Sequence, residues 1–315
     1  AERVHNVHID AVHNYNRDSR EAMYRFFGKW LFGRDDYADF TEPPFEVEKV
    51  ADLRVFPDDK LPEEYPDQET LTEQIIQANE AKWAAELPKS IEKTAAFQGR
   101  YGTVLAEVMG AATPGPNELR LERVRMEERD DYVLEAWVIG RAVEGDRIPA
   151  LFYRAYDPAP QDAVLLVHGA GKAALADPAG NGPGALAAGL MAQGKAVLCI
   201  DAFLLGEHHT PTERTKRKRV GSFMDTFQPT DTGYRVQDVL TAIAFLRARR
   251  DLTGRVDVAG LGAAGLWCLF ASAIDGEVPV TTVDLDGFDP DNDEAWTERY
   301  YVPCIRSVGS VHTAA

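Results

Sequence analysis

Arg255-Val256-Asp257-Val258-Ala259-Gly260-Leu261-Gly262-Ala263-Ala264-Gly265-Leu266-Trp267 is the stretch that decides the fold. A short apolar strand runs into small residues and then into an apolar helix, the layout of a G-x-S-x-G nucleophile elbow. Small residues are needed because the turn is tight and its backbone lies close against the following helix. The central position, where a serine would carry the attacking oxygen, is Gly262. A glycine has no side-chain atom to attack with. The frame of a reactive turn is present without its nucleophile.

Outward from this turn the pattern is α/β. Residues 119–126 and 132–139 read as two antiparallel strands, 148–154 as a third, and 163–167 as a short, fully apolar one. Helix 185–193 leads to strand 196–200, helix 234–249 to strand 256–259, and helix 266–273 to strand 280–285. Apolar runs alternating with helices imply a mostly parallel sheet covered by helices on both faces. The chain stops at Ala315 with no closing strand or helix, so this sheet is expected to be incomplete at its C-terminal end.

Further upstream, residues 4–11 alternate like a strand, with Val7 and Ile9 on one face. Residues 17–32 follow as an amphipathic helix with Ala22, Met23, Phe26, Phe27, Trp30 and Leu31 at helical spacing. Asn16 or Asp18 suits its N-cap and Gly33 its stop. Residues 35–67 are rich in Pro, Asp and Glu and read as irregular, with one extended piece at 53–56. A helical region over 70–98, interrupted at Pro88, continues through 104–109. The expected organisation is a strand-helix segment (1–34), a linker (35–69), a helical connector (70–116) and the α/β module (117–315).

A formal net charge of −17 on 315 residues opposes nucleic acid and anionic membranes as general partners, since both demand a basic surface. One local exception, Arg214-Thr215-Lys216-Arg217-Lys218-Arg219, reads as a solvated loop or as a contact for an anionic substrate or the acidic bulk of the protein. The cysteines, Cys199, Cys268 and Cys304, form neither a disulfide framework nor a zinc pattern. No apolar run approaches the roughly 18 residues of a membrane span. The chain shows no initiator Met and no signal-like segment, which leaves its compartment open.

Open α/β sheets bind ligands at strand C-terminal ends. The first such junction is Val167-His168-Gly169-Ala170-Gly171-Lys172. A turn of this kind can aim backbone N–H groups at a developing oxyanion, and the donors here would be Ala170 and Ala263. The second, Asp201-Ala202-Phe203-Leu204-Leu205-Gly206-Glu207-His208-His209, invites a metal reading. Adjacent histidines do not share a face, however, and no third ligand spacing is evident, so His168, Asp201 and His208 are taken to line the mouth of the site without a metal. The third, Val283-Asp284-Leu285-Asp286-Gly287-Phe288-Asp289, offers Asp286 either as a histidine-orienting acid or as a turn former, and lacks the terminal Glu of a calcium loop. Ser272 and Cys268 lie in the helix after the elbow and point along its packing, poorly placed as substitute nucleophiles. His13, just after a strand and before a helix, has the local setting of a catalytic histidine.

His13-Asn14-Tyr15-Asn16, followed by Ser19-Arg20-Glu21-Ala22-Met23-Tyr24 and Phe27, resembles the C-terminal segment of bacterial acetyl-xylan-esterase-like α/β-hydrolases, a dienelactone-hydrolase-like branch. Residues 148–286 are similar to the N-terminal two-thirds of another module of that superfamily, at 168–172, at 201–206 and at the elbow. The resemblance implies a window of a tandem protein. On it His13 is the general base of an upstream module, Gly262 holds the nucleophile-equivalent position of a second one, and the two modules pack together. A rival reading is circular permutation, with residues 1–33 filling the last-strand place of a single module. The activity implied is carboxylic-ester hydrolysis of a small-molecule or polysaccharide ester, with no cofactor; the alternative is an inactive pseudo-hydrolase that binds a ligand or supports its neighbour.

Overall fold

Strands buried on both faces need continuous apolar sequence, and residues 163–167 and 196–200 supply it at the centre of the sheet. The computed structural model describes residues 3–56, 60, 62–156, 159–180, 182–208, 217, 224–309 and 311–315. They form two units, Ala1–Glu69 and Thr70–Ala315.

In the first unit, α1 (Arg17–Phe32) is capped by Asn16, whose Oδ1 accepts the Ser19 N–H at 3.0 Å, and ends at Gly33 in the left-handed region. The side of α1 that packs combines apolar contacts, Tyr24 on Phe40 among them, with polar ones that the sequence did not announce. Arg20 forks onto the Glu42 carboxylate at 2.7 and 2.8 Å, Glu21 accepts the Glu42 N–H at 2.8 Å, and Gly28 admits the Tyr37 ring. Phe27 and Leu31 are exposed. Residues 4–11 also depart from expectation, forming no strand; a strand needs a ladder partner, and the described residues of this unit offer none. The extended piece expected at 53–56 is preceded by a single helical turn, α2 (Val50–Leu53).

The second unit begins with the hairpin of α3 (Gln68–Glu86) and α4 (Ile91–Met109), broken at Pro88 as expected. The strands are β1 (Leu119–Glu128), β2 (Val133–Arg141), β3 (Ile148–Arg154), β4 (Gln161–His168), β5 (Ala196–Ile200), β6 (Leu252–Leu261) and β7 (Thr281–Val283). They make one sheet in the order β1-β2-β3-β5-β4-β6-β7. β2, β4, β5, β6 and β7 run one way, β1 and β3 the other. Helices α5 (Ala185–Ala192), α7 (Asp231–Ala248) and α8 (Ala264–Asp275) connect the parallel strands, with one turn, α6 (Met224–Phe227), before α7. On one face α7, α8 and α4 bury Val236, Leu240, Ile243, Leu266, Trp267 and Phe270 against β4–β6. On the other, Ala187 of α5 joins Leu134, Tyr153 and Val197. A fully buried side chain of this size contributes about 1.5–3 kcal/mol, which makes this sandwich the source of the unit's stability.

The C-terminal part is better closed than the sequence implied. α9 (Asp293–Arg299), capped by Asn292, a 3-10 turn at Ile305–Val308 and α10 (Val311–Ala314) bring Trp296, Tyr300, Ile305 and Val311 into the main core.

Candidate functional site

The strand-end junctions converge because β4, β5, β6 and β7 are parallel neighbours. Register sets His168 beside Leu261, and the Gly169 N–H donates to the Leu261 carbonyl at 3.0 Å. Gly262, the next residue, has φ +59, the left-handed conformation that an elbow imposes on its central residue. A Cβ built there meets nothing within 4 Å. Three residues on, the reverse holds: a Cβ on Gly265 would lie 1.9 Å from the Asp284 carbonyl oxygen, so the helix packs onto the β7 end only because that residue is glycine. Gly262 is thus an open glycine at a tight strand-to-helix turn, and Gly265 a packed one.

Of the two backbone donors, Ala263 stands at the start of α8, where amides lack an i−4 carbonyl. The Ala170 N–H instead donates to Nδ1 of His168 at 3.0 Å. Tyr300 closes the turn from α9, its hydroxyl donating to the Ala263 carbonyl at 3.2 Å.

Asp201 is not an open site residue. Its buried carboxylate accepts the Lys172 N–H at 2.8 Å, the Glu207 N–H at 2.9 Å and the Lys172 ammonium, which also reaches Glu207 at 2.5 Å. Lys172 is itself buried, so the group is a clasp tying the loop after β4 to the loop after β5. His208 follows in the 3-10 turn Gly206–His208 with Nε2 3.2 Å from the Asp201 carbonyl oxygen, and burial pushes its pKa down. His209 and the basic run, apart from Arg217, lie outside the described residues; Arg217 forks between Asp231 and the Pro229 carbonyl. Among the described residues no three His, Cys, Asp or Glu side chains are placed to hold a metal ion.

Asp286 has φ +52, donates its N–H to Asp284 Oδ1 at 2.9 Å, and pairs with Arg299 at 2.7 Å. Among the described residues its carboxylate pairs with Arg299 and not with a histidine. Cys268 is buried and its thiol is pushed far up by desolvation, and the buried Cys199 thiol is pushed up to about 12, so neither supplies a thiolate at neutral pH. The Ser272 hydroxyl is buried without a partner among the described residues. His13 is exposed and belongs to the first unit.

Sequence reasoning missed two charged groups of α7. Arg235 is buried with its guanidinium 4.7 Å over the Trp267 ring and its Nε donating to the Phe203 carbonyl at 3.1 Å. Asp238, one turn on, is buried; that burial, and then Asp146, hold its carboxyl well above the usual range. Arg235 holds the Phe203 carbonyl from α7. The signal was a charge pair spaced i, i+3 on an otherwise apolar helix face, which reads equally well as a solvated stripe.

No family model matches the chain, and no curated protein matches it. Solved structures do. A "putative acetyl xylan esterase" from Bacteroides fragilis is 14% identical with a TM-score of 0.51, covering 72% of this chain and 62% of its own. Acetyl xylan esterase 1 from a Thermoanaerobacterium species is 14% identical with a TM-score of 0.45, covering 69% of this chain and 74% of its own. This chain spans 62% of the length of the Bacteroides structure. At that identity the likeness concerns the fold: the second unit's sheet and helices are arranged as in a solved α/β esterase-type structure.

Proposed function

We propose that the protein is carboxylic-ester hydrolase-like, with residues 117–315 providing an esterase-type scaffold that performs no acyl transfer at its elbow. The observation that carries this is Gly262, whose positive φ and open side keep the place of a nucleophile without an atom to fill it. In this reading residues 1–34 end an upstream hydrolase module, 35–69 link it and 70–116 connect onward to the second module. His13 then serves as general base toward a serine outside this chain. The substrate is an ester of a small molecule or an acetylated polysaccharide, and the second module packs against the first. The His168–Ala170 hydrogen bond favours a second reading for residues 117–315 taken alone, an inert module that supports its neighbour or holds a ligand, because one of its two oxyanion-type amides already has an acceptor.

The test compares ester hydrolysis by this chain with that of a longer protein extended at both ends. Only the longer protein is expected to turn over, and His13→Ala in it should cost about 10³-fold or more in kcat. Full activity of the longer protein with His13→Ala would contradict the assignment.

A further inference from the structure

β1 is the outermost strand of the sheet, and among the described residues it pairs with β2 alone, so the backbone groups along its other side have no sheet partner there. It is ten residues long and exposed along nearly all of its length. Leu121, Val124 and Met126 are 43%, 62% and 42% exposed. Long, apolar-bearing free edges are templates for strand addition.

The sequence of this edge is self-complementary in one register. The β1–β2 pairing has a bulge between Arg123 and Arg125 that leaves Val124 unmatched. An extra residue reverses the alternation of faces beyond it. Hence Leu121, opposite Ile139, and Met126, opposite Glu135, share one face, while Arg120, Glu122, Arg125 and Glu127 share the other. Antiparallel pairing of two such strands about a twofold axis between Arg123 and Val124 sets Arg120 opposite Glu127, Leu121 opposite Met126 and Glu122 opposite Arg125. Every one of these pairs lies on a common face, which the bulge alone makes possible. Shifting the register by two residues sets Arg120 against Arg125 in one direction and Glu122 against Glu127 in the other. Like charges directly opposite one another destabilise a ladder, so the edge selects one register and rejects its neighbours.

We propose that a second copy of this chain adds to the β1 edge, joining two seven-stranded sheets into one continuous sheet through a twofold antiparallel β1–β1 pair. The ion pairs that Glu122 and Arg125 now make, with Arg147 at 3.4 Å and Glu127 at 3.1 Å, are solvent-exposed and weak, and exchange readily for the intermolecular ones. The interface is isologous and small, so dimer and monomer exchange with concentration.

Sedimentation equilibrium of the whole chain tests this. The wild type should dimerise reversibly. Glu122→Arg and Arg125→Glu should each raise the dimer Kd about tenfold or more, because the twofold axis repeats the broken pair. The double variant should return to within about threefold of wild type. Hydrogen exchange on the unmodified chain provides a second readout: β1 amides should gain protection as concentration rises. A chain that stays monomeric, a dimer indifferent to both single changes, a double variant no better than the singles, or β1 exchange independent of concentration overturns the proposal.

Discussion

The turn after β6 and the loops after β4 and β5 lie at the C-terminal ends of neighbouring parallel strands and are built in opposite ways. The turn is made of small residues, with a glycine at positive φ and a tight helix start, and presents no reactive side chain. The loops carry a lysine, an aspartate, a glutamate and a histidine, the residue types of chemistry, and pair them with one another and with backbone amides. Tight backbone geometry and chemistry-bearing side chains are therefore separable properties of this end of the sheet. Charged residues on strand-end loops can be structural, holding the loops to one another.

The comparison is broken most forcefully at the clasp. Asp201→Ala should strip the buried Lys172 ammonium of one of its two carboxylate partners, leave two amides without their acceptor and cost about 3 kcal/mol, read from denaturant unfolding. A loss below about 1 kcal/mol would show that the clasp is ornamental. The elbow is next. Gly265→Ala drives a methyl into the Asp284 carbonyl and should cost about 3 kcal/mol. Gly262→Ala meets only the penalty of positive φ, about 1–2 kcal/mol. Equal losses at the two positions would refute the division between a packed glycine and an open one. Gly262→Ser should be tolerated like Gly262→Ala and still show no esterase activity, since the described residues place no acid–histidine pair around the turn. Turnover by that variant, lost again on His13→Ala, would favour the circularly permuted arrangement.

The smallest expected effect concerns pH. Burial raises the Asp238 carboxyl in the folded chain well above its unfolded value of about 4. Stability fully present below that unfolded value is therefore lost as pH rises toward the folded one. Asp238→Asn removes that loss, so its melting temperature should gain on the wild type as pH rises above about 4. A difference independent of pH would mean that Asp238 is ionised in the fold.

The central strands were legible because burial on both faces demands unbroken apolar sequence, and 148–154 and 196–200 match their strands end to end. The strand-turn-helix around Gly262 was legible from its small residues. Alternation misled at 4–11, where the period was right and the partner strand was missing among the described residues. On α1 the helix, its Asn16 cap and its Gly33 stop were legible, while the contacts of Arg20 and Glu21 with Glu42 and the exposure of Phe27 and Leu31 were not. The C-terminal helices went unseen because each is shorter than two or three turns and its apolar residues are spread over loops. Among the site residues, Asp201 was noticed for its charge, but no spacing in the sequence shows that Lys172, 29 positions away, would neutralise it. The Val124 bulge carries no sequence mark at all.

The most direct measurement is hydrolysis of p-nitrophenyl acetate by the purified 315-residue chain, followed against substrate concentration. The expected result is a rate no higher than the uncatalysed one at every concentration. Saturable turnover by this chain would contradict an inert elbow and turn the search for a nucleophile to Ser272, Cys268 and the loop from Asp201 to His208.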